Sequence, residues 1–96
     1  MALLYNMLIT KSNRKGKRFV ATFKDGRRVH FGAEGASTYI DHGDKQKRAA
    51  YIARHRVNED WTNPYTAGAL SRFILWGDYT SMDGNIAAFK RQFDIK

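Results

Sequence analysis

The sequence predicts an α+β fold: an N-terminal antiparallel β-hairpin or three-stranded sheet followed by three short helices. Three observations carry that reading. Residues 18 to 31, RFVATFKDGRRVHF, alternate on a period of two around Asp25-Gly26, the strongest short-range hairpin signal. DKQKRAAYIARHRVNED opens on Asp44, a good helix N-cap. Met82, Ile86, Phe89 and Phe93 recur at i, i+4, i+7 and i+11, one face of a helix. At 96 residues the chain is a single domain, 1–96. Within it, 1–17 form an apolar segment and basic loop, 18–33 a basic hairpin, and 44–95 the helical part.

Taken in order, LYNMLIT fits either a third strand, joined through the turn at Ser12-Asn13 to Gly16, or an apolar tail docked on the fold. In the hairpin, a two-residue Asp25-Gly26 loop sets Phe23 opposite Arg28 and mixes apolar with charged positions. A three-residue loop, Lys24-Asp25-Gly26 with Gly26 left-handed, pairs Phe19 with Phe31, Ala21 with Val29 and Phe23 with Arg27. The second register is preferred, because it gives a largely apolar odd-numbered face. Arg18, Thr22, Lys24, Arg28 and His30 then project from the other face.

GAEGASTYIDHG reads as a Gly-rich connection. The helix from Asp44 turns Ala49, Ile52, Ala53, Arg56 and Val57 inward. A second helix is capped by Asn63, has Pro64 at its first position, runs through Leu70, Phe73 and Ile74, and stops at Gly77. The third begins at Thr80, whose hydroxyl and the carboxylate of Asp83 suit a capping box.

Composition narrows the function. The apolar share of 43% and aromatic share of 14% are far too rich for a disordered tail. With no cysteine there is no disulfide, thiolate nucleophile or Cys-based zinc site, and the three histidines lack ligand-pair spacing. No metal and no cofactor are expected. The uncharged run in MALLYNMLIT is about half what a membrane span needs, and it lacks the basic region of a signal peptide. An intracellular protein, soluble or bound in an assembly, is the expectation.

The net charge of +8 is concentrated in the first third. Residues 1 to 33 hold Lys11, Arg14, Lys15, Lys17, Arg18, Lys24, Arg27 and Arg28 against the single acid Asp25, giving +7. Residues 34 to 96 hold nine basic and eight acidic side chains. KSNRKGKR, residues 11 to 18, puts five cations in eight positions beside a basic strand face, a footprint suited to phosphate backbones or to an acidic protein surface. Base-reading motifs are absent, and phosphate contacts alone confer no sequence choice. Tyr5, Tyr39, Tyr51, Tyr65, Tyr79 and Trp76 exceed what so small a core needs, so some are expected at a protein interface, with core packing the alternative for most of them.

RHRVNEDW, residues 54 to 61, is the densest chemical stretch. On a helix His55 and Glu59 meet four residues apart, a general-base pattern. No Ser, Cys or Lys stands at a recognisable partner spacing, so the pair reads as the tie at a helix end with Trp61 anchoring the turn by its bulk. No catalytic residue is assigned. Asp41-His42-Gly43-Asp44 is turn and cap chemistry. The glycines at 32 and 35 complete neither a P-loop nor a dinucleotide fingerprint.

The strings VHFG, HGDK with KR, YIARH, EDW and TAGALSRFILWG resemble the signature of a family of short basic proteins encoded by large double-stranded DNA viruses of algae and amoebae. The resemblance runs from about Leu8 to Phe93; the tail after Trp76, Gly-Asp-Tyr-Thr-Ser, departs from the Asn/Lys-Pro run of relatives. It implies a viral, non-enzymatic structural protein, made inside the host cell during assembly and carried in the virion as a minor capsid component or with the genome. The implied partners are viral capsid proteins or, alternatively, double-stranded DNA bound without sequence preference, with no small-molecule substrate. Within the pattern RHRVNEDW resembles a fold-defining junction between two helices, held by His55, Glu59 and Trp61, with Trp76 placed alongside.

Overall fold

In the computed structural model, which describes residues 6–95, three strands form an antiparallel sheet in the order β1-β2-β3. They are β1 Met7–Lys11, β2 Lys17–Phe23 and β3 Arg28–Ala33. The segment read as strand or tail is therefore a strand from Met7 onward; Tyr5 and the start of the chain lie outside the described residues. The register follows the apolar alternation, with Phe19 opposite Phe31 and Ala21 opposite Val29. The Phe23 N–H reaches the Arg27 carbonyl at 2.9 Å, and Gly26 takes φ 90°, a left-handed value that closes the three-residue loop without a Cβ clash.

The odd-numbered face carries the core. Met7, Ala21, Phe23 and Phe31 are buried there, with Ile9, Phe19 and Val29 packed around them. The even-numbered face leaves Thr10, Lys24 and Arg28 exposed and Arg18, Thr22 and His30 half-buried. Val20, flanked in register by Thr10 and His30, is buried on that face as well.

The helical cover comprises α1 Tyr39–His42, α2 Lys45–His55, α3 Ala67–Leu70 and α4 Met82–Gln92. The connection expected after β3 thus contains a short helix. The Asp41 carboxylate accepts from the Thr38 N–H at 2.8 Å, and Gly43 ends the helix left-handed. Asp44 caps α2 by accepting from the N–H groups of Gln46 and Lys47.

The inward stripe of α2 differs from expectation. Ala49, Ala53 and Arg56 are exposed and Val57 is 75% exposed, whereas Tyr51 is buried and Arg48, Ile52 and His55 are half-buried. A tyrosine ring covers more apolar area than two alanines, so the helix turns that ring inward. Its end at His55 leaves the next two residues outside the periodicity.

Two helix starts also shift. Asn63 accepts from the Tyr65 N–H in an Asx turn, and Thr66 is the true cap of α3, accepting from Ala69. Ser81, not Thr80, caps α4 by accepting from Gly84. After Leu70 the chain passes into a π-helical turn, Ser71–Leu75, in which the Trp76 N–H bonds the Ser71 carbonyl at 3.0 Å.

Leu70, Ile74, Leu75 and Phe89 come from α3, the π turn and α4 to meet the sheet, while Met82, Ile86 and Phe93 pack around them. Each fully buried side chain of this size contributes about 1.5–3 kcal/mol in transfer free energy. Asn85 sits fully buried among them. Its amide donates to the Ile74 and Tyr79 carbonyls at 2.8 and 2.7 Å and accepts from the Tyr79 N–H at 2.9 Å. A Cβ on Gly77 would come within 2.6 Å of that amide, which is why glycine stands there.

Candidate functional site

The eight cations of the first third divide into two groups. Lys11 ends β1, Arg14 and Lys15 lie in the β1–β2 turn, and Lys17 opens β2, all exposed. With Ser12, Asn13, Arg18 and Glu34 they line a hollow of about 330 Å³. Lys24 and Arg27 lie at the other end of β2, roughly 20 Å away at the usual rise per strand residue. Arg28 stands near that end, in register with Thr22.

The turn that presents the first group is held by its own backbone. The Arg14 N–H donates to Ser12 Oγ at 3.0 Å, the Lys17 N–H to the Arg14 carbonyl at 3.1 Å, and the Ser12 N–H to the Arg18 carbonyl at 3.0 Å. Ser12 Oγ also meets His30 Nδ1 at 2.7 Å across the sheet face. The Gly16 N–H donates to Glu34 Oε2 at 3.1 Å, while the Glu34 N–H donates to the Gly16 carbonyl at 3.1 Å.

Two of the eight cations are engaged inside the fold. Arg18 makes a bidentate pair with Asp41 at 2.8 and 2.7 Å. The Arg18 guanidinium, with the Thr38 donors behind it, holds the Asp41 carboxyl well below the usual carboxylate range. Arg27 pairs with Asp25 at 3.0 Å and lies 3.9 Å over the Tyr65 ring. Lys11, Arg14, Lys15, Lys17, Lys24 and Arg28 show no acidic partner among the described residues.

Between the two groups His30 senses their field. Desolvation first, and then the charges of Arg14, Arg28 and Lys17, hold its imidazole below the ordinary value. Sequence reading placed His30 on this face and missed Ser12, Glu34 and Asp41 as parts of it. The register sets Thr10 and Val20 level with His30, so the Ser12–His30 contact runs diagonally across the face.

The junction residues do meet. The Glu59 carboxylate takes His55 Nδ1 on one oxygen at 3.2 Å and accepts from Trp61 Nε1 on the other at 2.8 Å. Gly68 lets that carboxylate lie against α3; a Cβ there would stand 3.1 Å from Glu59 Cδ. Trp76 stacks on Tyr51 with ring centroids 4.4 Å apart, and Tyr51 stacks on His55 at 4.2 Å. Burial, and next the Glu59 charge, push the Tyr51 phenol up to about 12, so it keeps its proton across the physiological range. Arg48 and Arg72 both donate to the Trp76 carbonyl, at 3.2 and 3.0 Å, and Arg48 also pairs with Asp78 at 2.7 Å.

A groove of about 380 Å³ runs past this stack, lined by Tyr51, His55, Glu59, Ser71 and Trp76 on the helical side. Of the remaining aromatics, Tyr39 is buried, while Tyr65 and Tyr79 are 39% and 51% exposed. Among the described residues no helix is long and apolar enough to cross a membrane.

A three-stranded sheet under a helical cover, with cations gathered at one turn, makes this a small basic α+β domain with a cationic end. Residues 7–55 match the model of a family described as "Family of unknown function (DUF5754)", and the chain belongs to it. The match runs from the first residue of β1 to the last of α2. The chain is also 37% identical over 83 residues to "Uncharacterized protein L851" of Acanthamoeba polyphaga mimivirus, an alignment covering 76% of this chain and 83% of the relative. The family thus has a viral member, in accord with the viral resemblance of the sequence. No solved structure matches the chain.

Proposed function

We propose that this protein is a non-enzymatic structural component of a large DNA virus particle, a minor capsid or capsid-adaptor protein that docks through its basic end on acidic neighbouring proteins. The observation that carries the reading is the cluster of Lys11, Arg14, Lys15 and Lys17, exposed together on a turn fixed by backbone hydrogen bonds. A rigid array loses less conformational freedom on docking than four cations on a mobile tail. Many such weak contacts, multiplied by particle symmetry, hold a small subunit firmly.

The reading assigns no catalysis, cofactor or small-molecule substrate. The His55–Glu59 pair is engaged with Trp61, and a ring face of His55 is covered by Tyr51. To test it, purified particles are stripped stepwise into shell and nucleoprotein core, and the polypeptide is quantified in each fraction against the major capsid protein. Recovery with the shell in a fixed ratio supports the adaptor. Absence from every particle fraction refutes it.

A second reading, sequence-nonspecific binding of viral DNA, is favoured by one feature. Arg14 and Lys17 at one end of the strands and Arg28 toward the other stand on either side of His30, so cations are spread along the strand face. Neutralising roughly five phosphates predicts a log-log salt slope near −4.5. A flat salt response would exclude this alternative.

A further inference from the structure

The geometry points to the β1–β2 turn as a receptor for a carboxylate side chain of an acidic protein segment, with Glu34 as its resident internal occupant. The inference rests on the docking reading above and specifies what the basic end takes.

Glu34 is exposed and lines the same hollow as Lys11, Arg14, Lys15 and Lys17, while its carboxylate accepts from a neutral backbone donor, the Gly16 N–H. Among the described residues no lysine or arginine nitrogen pairs with it. The site therefore holds an anion while its cations have none in contact. Arg18, the remaining cation of the rim, is already paired with Asp41. The reciprocal bond from the Glu34 N–H to the Gly16 carbonyl keeps the residue beside the turn whether or not its side chain stays in place. Gly16 is open to its surroundings, for an added Cβ would meet nothing within 4 Å. An incoming carboxylate reaches the same N–H once the exposed Glu34 side chain swings away from it.

The occupant is a protein carboxylate because the anion already held at the Gly16 N–H is one, amid cations that complement its charge. A partner carboxylate displaces Glu34, takes the Gly16 N–H and draws in the lysines and arginine that Glu34 leaves uncontacted. Glu34 thereby sets a threshold: a segment must offer several acidic groups to outcompete a tethered one.

The test titrates a fluorescent poly-glutamate peptide, and separately a short DNA duplex, into the full chain at low salt, reading anisotropy. The variants are Glu34→Gln, the double reversal Arg14→Glu with Lys15→Glu, and Asp83→Asn, which removes one exposed acid from α4. Glu34→Gln is expected to tighten peptide binding about five- to ten-fold, the scale of one like charge near contact when water screens an exposed side chain. Asp83→Asn is expected to leave it nearly unchanged. An unchanged or weaker affinity for Glu34→Gln, or equal tightening by Asp83→Asn, overturns the inference while loss of binding on charge reversal keeps the docking reading. Peptide binding that survives the charge reversal overturns the docking reading itself. Tightening confined to the duplex assigns the site to phosphate and overturns the carboxylate.

Discussion

Replacing Asn85 with alanine removes three hydrogen bonds at the point where α4 meets the end of the π turn. The Ile74 carbonyl loses its amide donor at 2.8 Å, and the Tyr79 N–H and carbonyl lose partners at 2.9 and 2.7 Å. Ile74 is fully buried, so its carbonyl bears the full desolvation cost, about 1–3 kcal/mol. Tyr79 is half-exposed and regains water, but the emptied volume beside the core adds a cavity cost. A total of about 3 kcal/mol follows, and a domain this size shifts its Tm by roughly 4–8 °C for each kcal/mol.

Asn85→Asp sharpens the test, because it keeps the shape and replaces the donor with an oxygen facing two carbonyls. An ionised carboxylate there is repelled, so its folded pKa rises above the unfolded value of about 3.9. The added penalty is absent below that value and grows as pH rises through it toward the folded pKa. Urea melts of wild type, Asn85→Ala and Asn85→Asp across that range measure both effects. A loss below about 1 kcal/mol for alanine, or a pH-independent loss for Asn85→Asp relative to wild type, would refute the role assigned to this amide.

Asp41→Asn should lower stability at neutral pH. Since Asp41 has a depressed folded pKa, its contribution is present above the unfolded value near 4 and fades as pH falls below it, so the gap between variant and wild type should close in acid, as thermal melts against pH would record. Trp61→Ala should cost about 2 kcal/mol and Glu59→Gln about 1 kcal/mol in denaturant melts; unchanged melts with lost partner binding would make the stretch a binding site. Gly32→Ala, at φ 79° and with its new Cβ 2.9 Å from Leu75 Cδ1, should cost about 1–2 kcal/mol in the same assay.

What was legible in the sequence was what one local pattern decides. Alternation around Asp25-Gly26 contained the hairpin, its register and the left-handed glycine, because a slip by one residue would turn Phe19 and Phe31 away from the core. The α4 stripe was legible for the same reason. The α2 face was not, since a helix with one tyrosine and several alanines has its rotation set by Trp76, a residue far along the chain. The start of α3 was misread because Asn63-Pro64 and Thr66 are both sound start signals, and the Asx turn at Asn63 separates them. At the basic end the cations were visible and their sorting was not. Which of them are neutralised depends on Asp41, brought in from beyond β3, and on Asp25 in the hairpin turn.

The π turn fixes an angular phase. One residue of excess over a regular α-helix rotates everything after it by about 100° about the axis. Trp76 leaves the turn facing Tyr51 because of that excess. Deleting one residue between Ser71 and Leu75 would let the segment relax into a better helix, yet it would swing the indole off the stack and strip Arg48 and Arg72 of the carbonyl they share. Chain length between Thr66 and Gly77 is thus constrained more tightly than side-chain identity, and insertions and deletions there should be far less tolerated than substitutions.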